Sequence, residues 1–351
     1  MTFHTRLKNL STLFDLVARK DAFHATSADE FFLWRNRLRA TLAGLIGLDW
    51  TSGLPVPVAE AAGVEQMDGY TRTKFYIETE LSVIMPVFML KPDGLKHGKK
   101  TPVMICCHGH NSHGKDAVVG NVINEEHAKI IKDHNYDYGV QFVKQGFLVF
   151  APDADGMGER RTDWAQNTGS ELYCSCAQIN NRLLPLGKTV TGVWLSDLMR
   201  LVDFITARDD AATDKIGVAG LSGGGLQALW LGAFDDRVRV VIDSGYFYGV
   251  KQSLLEMPCC SCSYVPRLFE HVDMGDLGAM CAPKAFFIET GDQDHLNGRD
   301  NLANVLPQVE TTRAAYKLMG HEEKIRHHIF NGPHLWDGKE SIPFAITHLM
   351  R

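Results

Sequence analysis

The chain has 351 residues, 45% of them apolar, and a formal net charge of −6. That length suits one α/β domain with insertions, and that apolar share is ample for a large buried core. No cluster of Lys or Arg rises above the background, which excludes a basic groove for nucleic acid. No run of about 18 apolar residues is present to span a membrane.

The opening residues, Met1-Thr2-Phe3-His4-Thr5-Arg6, lack the basic start and apolar stretch of a secretory leader. Eight cysteines, several of them neighbours (Cys106-Cys107, Cys259-Cys260), are expected as buried free thiols, because a chain this large needs no disulfide staples. Both features set the expectation of a cytoplasmic protein.

In chain order, residues 7–19 and 28–45 carry apolar side chains at helical spacing, with Phe31, Phe32, Trp34, Leu38, Leu42 and Leu45 forming much of one stripe. Residues 1–65 are therefore expected as a helical extension packed on a single domain covering 1–351. Strand-like runs follow at 73–80, 83–91, 102–108, 147–152, 215–221, 239–244, 284–290 and 324–330. Several, such as Val103-Met104-Ile105-Cys106-Cys107, are continuously apolar, the mark of strands covered on both faces. Helical patterns at 138–145, 189–207, 224–234, 301–319 and 341–350 alternate with them. This alternation predicts a doubly wound α/β fold, a mostly parallel eight-stranded sheet with helices on both faces. Two long irregular stretches, 155–188 and 246–282, read as inserted loops near an active site.

Gly220-Leu221-Ser222-Gly223-Gly224 fits a Gly-x-Ser-x-Gly elbow, preceded by a strand-like run and followed by a helix start. A nucleophile on so sharp a turn needs small neighbours, and it gains an exposed hydroxyl at a helix N-terminus, where developing negative charge is favoured. A serine alcohol also needs a base, and the base an orienting acid. Downstream, the run Phe286-Phe287-Ile288-Glu289-Thr290-Gly291-Asp292-Gln293-Asp294-His295 supplies Asp294, and Asn331-Gly332-Pro333-His334 supplies His334. The order Ser, Asp, His and the positions past strand ends match a triad on an open α/β sheet. Asp292 is the rival acid and His295 the rival base. Glu289 is expected to point along its strand, and His327 and His328 read as sheet residues. The amides of Gly223 and of His110, in the His108-Gly109-His110-Asn111 turn, are the expected oxyanion donors.

With these residues placed, the chain resembles the acetyl xylan esterase-like bacterial α/β-hydrolases, relatives of the dienelactone hydrolases. The match runs from about Thr101 to the C-terminus. It is carried by His108-Gly109-His110 through Gly114-Lys115-Asp116 and by Pro152-Asp153-Ala154-Asp155-Gly156-Met157-Gly158-Glu159-Arg160. Further along, Cys260-Ser261-Cys262-Ser263-Tyr264-Val265-Pro266 and Asp273-Met274-Gly275-Asp276 also match. The resemblance implies an α/β-hydrolase fold, an acid three residues after a glycine, as Asp294 follows Gly291, and a base after a Gly-rich turn, as at His334. Many relatives have a second glycine after the residue matching His110, an Arg where Lys284 stands, and a secretion signal.

Other clusters have plainer readings. His108, His110 and His113 have no obvious carboxylate partner for a metal, and the Cys-Cys-x-Cys of 259–262 lacks the two-residue spacing of common zinc sites, even with Cys174 and Cys176 added. These thiols are expected to line an inserted loop, and neither a metal nor an organic cofactor is expected. Asp153, Glu159 and Arg160 read as an internal charge network, because buried charges need partners. The expected activity is hydrolysis of short-chain acyl esters, acetylated carbohydrates among them, with a small-molecule ester as partner and a homo-oligomer left open. A peptidase or amidase of the same fold and a non-catalytic binding protein are the competing readings.

Overall fold

The continuously apolar runs form one sheet in the computed structural model, which describes residues 6–48, 53–95, 98–111, 113–163 and 174–351. The strands are β1 Ala59–Gln66, β2 Tyr70–Glu80, β3 Val83–Pro92, β4 Thr101–Cys107, β5 Leu148–Pro152, β6 Ala211–Leu221, β7 Val238–Ser244, β8 Ala285–Gly291 and β9 Ile325–Phe330. Their order in the sheet is β1-β2-β3-β5-β4-β6-β7-β8-β9. From β5 through β9 the neighbours are parallel, while β1, β2 and β3 join antiparallel at one side.

The sheet has nine strands rather than the eight expected. The additional one, β1, is an edge strand whose side chains are nearly all exposed, and it lies in the segment read as a helical extension. Its sequence, Ala-Glu-Ala-Ala-Gly-Val-Glu-Gln, has no buried face and so no apolar alternation to betray it. Backbone pairing with β2 holds it, with a bulge between Ala61 and Gly63, joined by the Glu65–Arg72 ion pair at 2.7 Å and a Gln66–Asp93 hydrogen bond at 2.9 Å.

The helices are α1 Leu10–Val17, α2 Ala28–Ile46, α3 Lys115–Val118, α4 Glu125–Asp133, α5 Tyr138–Lys144, α6 Cys176–Leu183, α7 Val190–Thr206, α8 Gly223–Phe234, α9 Leu268–His271, α10 Met274–Met280, α11 Leu302–Leu318 and α12 Ser341–Leu349. Alternate residues of β4 explain the two layers they form. Val103, Ile105 and Cys107 face a core shared with α2, α7, α8, α10 and α11, while Met104 and Cys106 face a second core under α3, α5 and α12. Among the described residues no helix is long and apolar enough to cross a membrane.

Helix α2 starts at Ser27, whose hydroxyl accepts the Glu30 N–H, and ends at Gly47 in the left-handed conformation. Its Phe31, Trp34, Leu38, Leu42 and Ile46 are buried in the first core. Phe32, included in the expected stripe, is turned away and 40% exposed, since it sits about 100° round the helix from Phe31. The Arg35 guanidinium donates to the Ala282 carbonyl at 3.0 Å, and Arg19 forks onto the Asp276 carboxylate at 3.0 and 2.9 Å. The N-terminal helices are thus tied to the second insertion by polar contacts as well as by packing. Phe31→Ala should cost about 3–5 kcal/mol of stability, the range for deleting a buried aromatic ring. A urea unfolding midpoint compared with that of the wild type measures it.

Candidate active site

The strand order reverses direction at β4: the chain moves outward to β5 and then returns to place β6 on the other side of β4. The loops leaving β4 and β6 therefore diverge and open a crevice at the carboxyl ends of the strands, where open α/β sheets take their ligands. Ser222 follows β6 there, with φ 61° and ψ −120°, and helix α8 begins at the next residue. A non-glycine residue held so costs of order 1–3 kcal/mol and persists only where its surroundings fix it. Its N–H donates to the Ser244 carbonyl of β7 at 2.8 Å, and its own carbonyl accepts from Leu226 at 3.0 Å. A Cβ on Gly224 would stand 2.0 Å from the Cys107 carbonyl oxygen, so only glycine lets α8 start this close to β4.

Asp294 and His334 come from the loops after β8 and β9. The Asp294 carboxylate is buried, accepts the Leu296 N–H at 2.8 Å through Oδ1, and lies 2.6 Å from His334 Nδ1 through Oδ2. That pairing leaves Nε2 as the ring nitrogen free for proton transfer. A Cβ on Gly245 would be 2.9 Å from His334 Cε1 and 3.3 Å from the Leu221 side chain, so the imidazole lies over the end of β7 beside the serine turn. Ser222 and His334 share a cavity of about 240 Å³ that His110, Tyr136, His295 and Leu296 also line.

The rival residues have other work. Asp292 accepts the Gly332 N–H at 3.0 Å and so braces the turn that carries His334. His295 is exposed, 3.8 Å from Asp294 Oδ1 at the cavity wall. His327 meets Thr290 Oγ1 at 3.0 Å on the sheet. Glu289 differs from the expectation that it points along its strand: its Oε1 accepts from Gly338 N at 3.0 Å and Ser341 Oγ at 2.6 Å. It thereby anchors the segment between His334 and α12, and burial raises its pKa.

The β4 loop is set by its own polar contacts. The Gly109 N–H donates to the Tyr136 hydroxyl at 2.7 Å, and Gln227 Nε2 donates to the His108 carbonyl at 3.0 Å. Burial lowers the pKa of His108, so its ring is neutral; Nδ1 then donates to the Gly109 carbonyl at 2.8 Å and Nε2 accepts the Ala154 N–H at 3.0 Å. A Cβ on Gly109 would be 2.6 Å from the Leu221 carbonyl and 3.1 Å from Ser222 Cβ. A Cβ on Gly223 would be 3.6 Å from Gly109 Cα and 2.9 Å from two atoms of the His110 ring. The backbones of residues 109–110 and 223 are thus neighbours at the serine. Tyr136, which sequence spacing did not flag, both holds this loop and lines the cavity, with its hydroxyl pushed up to about 12 by burial.

The sequence model of the Abhydrolase family matches residues 4–334. The chain belongs to the Abhydrolase family. It is 27% identical over 241 residues to "Putative hydrolase YtaP" of Bacillus subtilis, a span of 65% of this chain and 72% of that protein. A Bacteroides fragilis structure titled "putative acetyl xylan esterase" superposes with a TM-score of 0.78 at 19% identity, covering 94% of this chain and 83% of that one. A glucuronoyl esterase from Solibacter usitatus gives a TM-score of 0.66 at 15% identity, covering 95% and 96%. These likenesses establish the α/β-hydrolase fold.

Two further groups surround the site of this Abhydrolase-family chain. The first is the expected charge network, joined by Lys115. Its Nζ meets Asp153 Oδ2 at 2.7 Å and also Glu159, while Arg160 Nη1 meets Asp197 at 2.6 Å. Burial works against the Lys115 ammonium, but the charges of Asp153, Asp116 and Glu159 outweigh it and raise its pKa.

The second group is the thiols of the inserted loops, which are free as expected and, beyond that expectation, converge on His110. One donor atom from each of His110, Cys174, Cys176 and Cys260 lies within 4.8 Å of every other. Cys262 Sγ is 3.3 Å from His110 Nε2. His108 is occupied as described, and His113 packs on the His127 ring at 4.5 Å, so the three histidines of the β4 loop do not converge. Burial disfavours charge on His110, but its hydrogen bond with Cys260 prevails and lifts it to about 9. Hydrogen bonds from Cys174, Cys176 and Cys262 hold the Cys260 thiol far below the usual thiol range. The available signal was the recurrence of Cys-Ser-Cys at 174–176 and 260–262. Residues 164–173 of the first insertion lie outside the described residues.

Lys115→Ala should cost about 3–5 kcal/mol of stability, because it strands the Asp153 carboxylate in the interior. Chemical denaturation of the variant measures the loss.

Proposed function

We propose that this chain is a serine carboxylic-ester hydrolase for short-chain acyl esters, acetylated carbohydrates among them. The observation that carries the reading is the 2.6 Å pairing of His334 Nδ1 with Asp294, in a cavity shared with a serine held at φ 61° on a strand-to-helix turn. A buried acid fixes the imidazole tautomer and favours the imidazolium that forms when it accepts a proton.

In the first half-reaction Ser222 Oγ attacks the ester carbonyl carbon and passes its proton to His334 Nε2. The resulting oxyanion lies between the amides of Gly223 and His110, each such donor lowering the barrier by about 3 kcal/mol. The tetrahedral centre collapses by breaking its bond to the alcohol oxygen, which takes the proton from His334. In the second half a water attacks the acyl-enzyme, His334 accepts its proton, and Ser222 leaves with that proton as the carboxylic acid is released.

The small cavity volume, about 240 Å³, favours a short acyl group. The structural neighbours named as acetyl xylan and glucuronoyl esterases support a carbohydrate on the alcohol or acid side. An acyl-length series of nitrophenyl esters run beside acetylated sugars tests this. Preference for the acetylated sugars is the expected result, and indifference to the sugar reduces the reading to a general esterase.

Ser222→Ala should abolish turnover of p-nitrophenyl acetate with the circular dichroism spectrum unchanged; retained activity overturns the nucleophile. Asp294→Asn should lower kcat by on the order of 10³–10⁴-fold through loss of the required tautomer. Asp292→Asn keeps an oxygen for the Gly332 N–H and should fall by less than about 10-fold, since it leaves that hydrogen bond available. The reverse ranking of the two variants would reassign the acid.

A further inference from the structure

We propose that His110, Cys174, Cys176 and Cys260 form a structural zinc site that locks both insertions onto the oxyanion loop. The four residues come from three distant parts of the chain: the turn after β4, the second half of the first insertion, and the middle of the second. No local turn or helical repeat brings them together, yet their donor atoms all lie within 4.8 Å of one another. A tetrahedral zinc with bonds of about 2.3 Å to sulfur and 2.0–2.1 Å to nitrogen needs donor separations of about 3.5–3.8 Å. The set is already close to that size.

The donor types narrow the ion. Three thiols and one imidazole are a soft set that takes zinc and rejects magnesium or calcium, which require oxygen. Four protein donors leave no open position for water, so the site is closed and structural. A disulfide would consume two of the thiols and leave the third and the imidazole without equal partners, whereas one metal ion satisfies all four. The Cys262 thiol, 3.3 Å from Nε2 of His110, lies against the set as a fourth sulfur.

His110 has a double use here. Its ring joins the thiols, and the ring also lies against Gly223, where a Cβ would be only 2.9 Å from Nδ1 and Cε1. Fixing that ring fixes the main chain that carries the His110 amide. This catalytic consequence rests on the Ser222 reading; the metal site stands without it, because the metal would be held by side-chain atoms alone, the proposed oxyanion contact of His110 being its main-chain amide.

The test is elemental analysis of the whole protein, expressed with zinc and purified under reducing conditions through gel filtration. One zinc per chain is expected, and Cys174→Ser, Cys176→Ser and Cys260→Ser should each retain less than a tenth of it. Cys259→Ser, which alters the adjacent thiol outside the set, should keep full zinc. Should a ligand variant fail to fold, cobalt(II) exchanged into the wild type gives an independent readout. Thiolate-to-cobalt charge-transfer bands and strong tetrahedral visible bands are expected. Wild-type protein with no zinc and no such bands overturns the site, as does a thiol titration that finds a disulfide within the set. Stripping the zinc should lower kcat at least 10-fold with KM little changed, the pattern of a loss confined to the transition state. Zinc bound without esterase activity refutes the proposed reaction and leaves the metal; esterase activity without zinc does the reverse.

Discussion

The close approach of β4, β6 and the first turn of α8 is the constraint on which the rest of the site depends. Cys107 pairs with Gly220 across the two strands, and the Cys107 carbonyl occupies the space a Cβ of Gly224 would need. Backbone meets backbone with nothing between. Because the serine turn is seated against β4, the loop leaving β4 necessarily runs beside Ser222, and the strained geometry of that residue is enforced from both sides. The reversal of strand order at β4 then sends the two following segments apart and leaves space over the serine.

Around that seat the protein relies on polar tethers rather than on packing alone. Asp292 and Glu289, at the end of β8, hold the segments before and after His334, while Asp294 holds its ring. Three acids within six residues thus serve one histidine in three ways. On the β4 side, Tyr136, Gln227 and the neutral ring of His108 fix Gly109 and its neighbours. Buried donors and acceptors with specific partners cost little when all are satisfied, and they select a single loop conformation where apolar contact would allow several.

The α/β alternation, the elbow, and the chain order of Ser222, Asp294 and His334 were legible because each leaves a local pattern: periodicity, a glycine-flanked serine, and acids or a histidine just past an apolar strand. Less local features were not. β1 buries no side chains and so writes no alternation into its sequence. Glu289 looked like a strand residue, and its contact with Gly338 crosses 49 positions of chain. Tyr136 contributes through its hydroxyl to a backbone 27 residues away. The thiol cluster was the furthest from view, since its donors are drawn from three segments and only the repeated Cys-Ser-Cys hinted at a common purpose.

The outer edge of β1 has a consequence for how copies of this protein meet. An open strand edge is a template on which another chain can lay its own strand, and long flat edges invite indiscriminate stacking. Here the bulge at Ala61/Gly63 interrupts the ladder, and Glu60 places exposed negative charge on the same short strand, while Glu65 is paired with Arg72 at 2.7 Å. Two such edges brought together would repel and fall out of register. Any ordered pairing of subunits is therefore steered to some other face, and crowding in concentrated solution is less apt to end in fibrous aggregates.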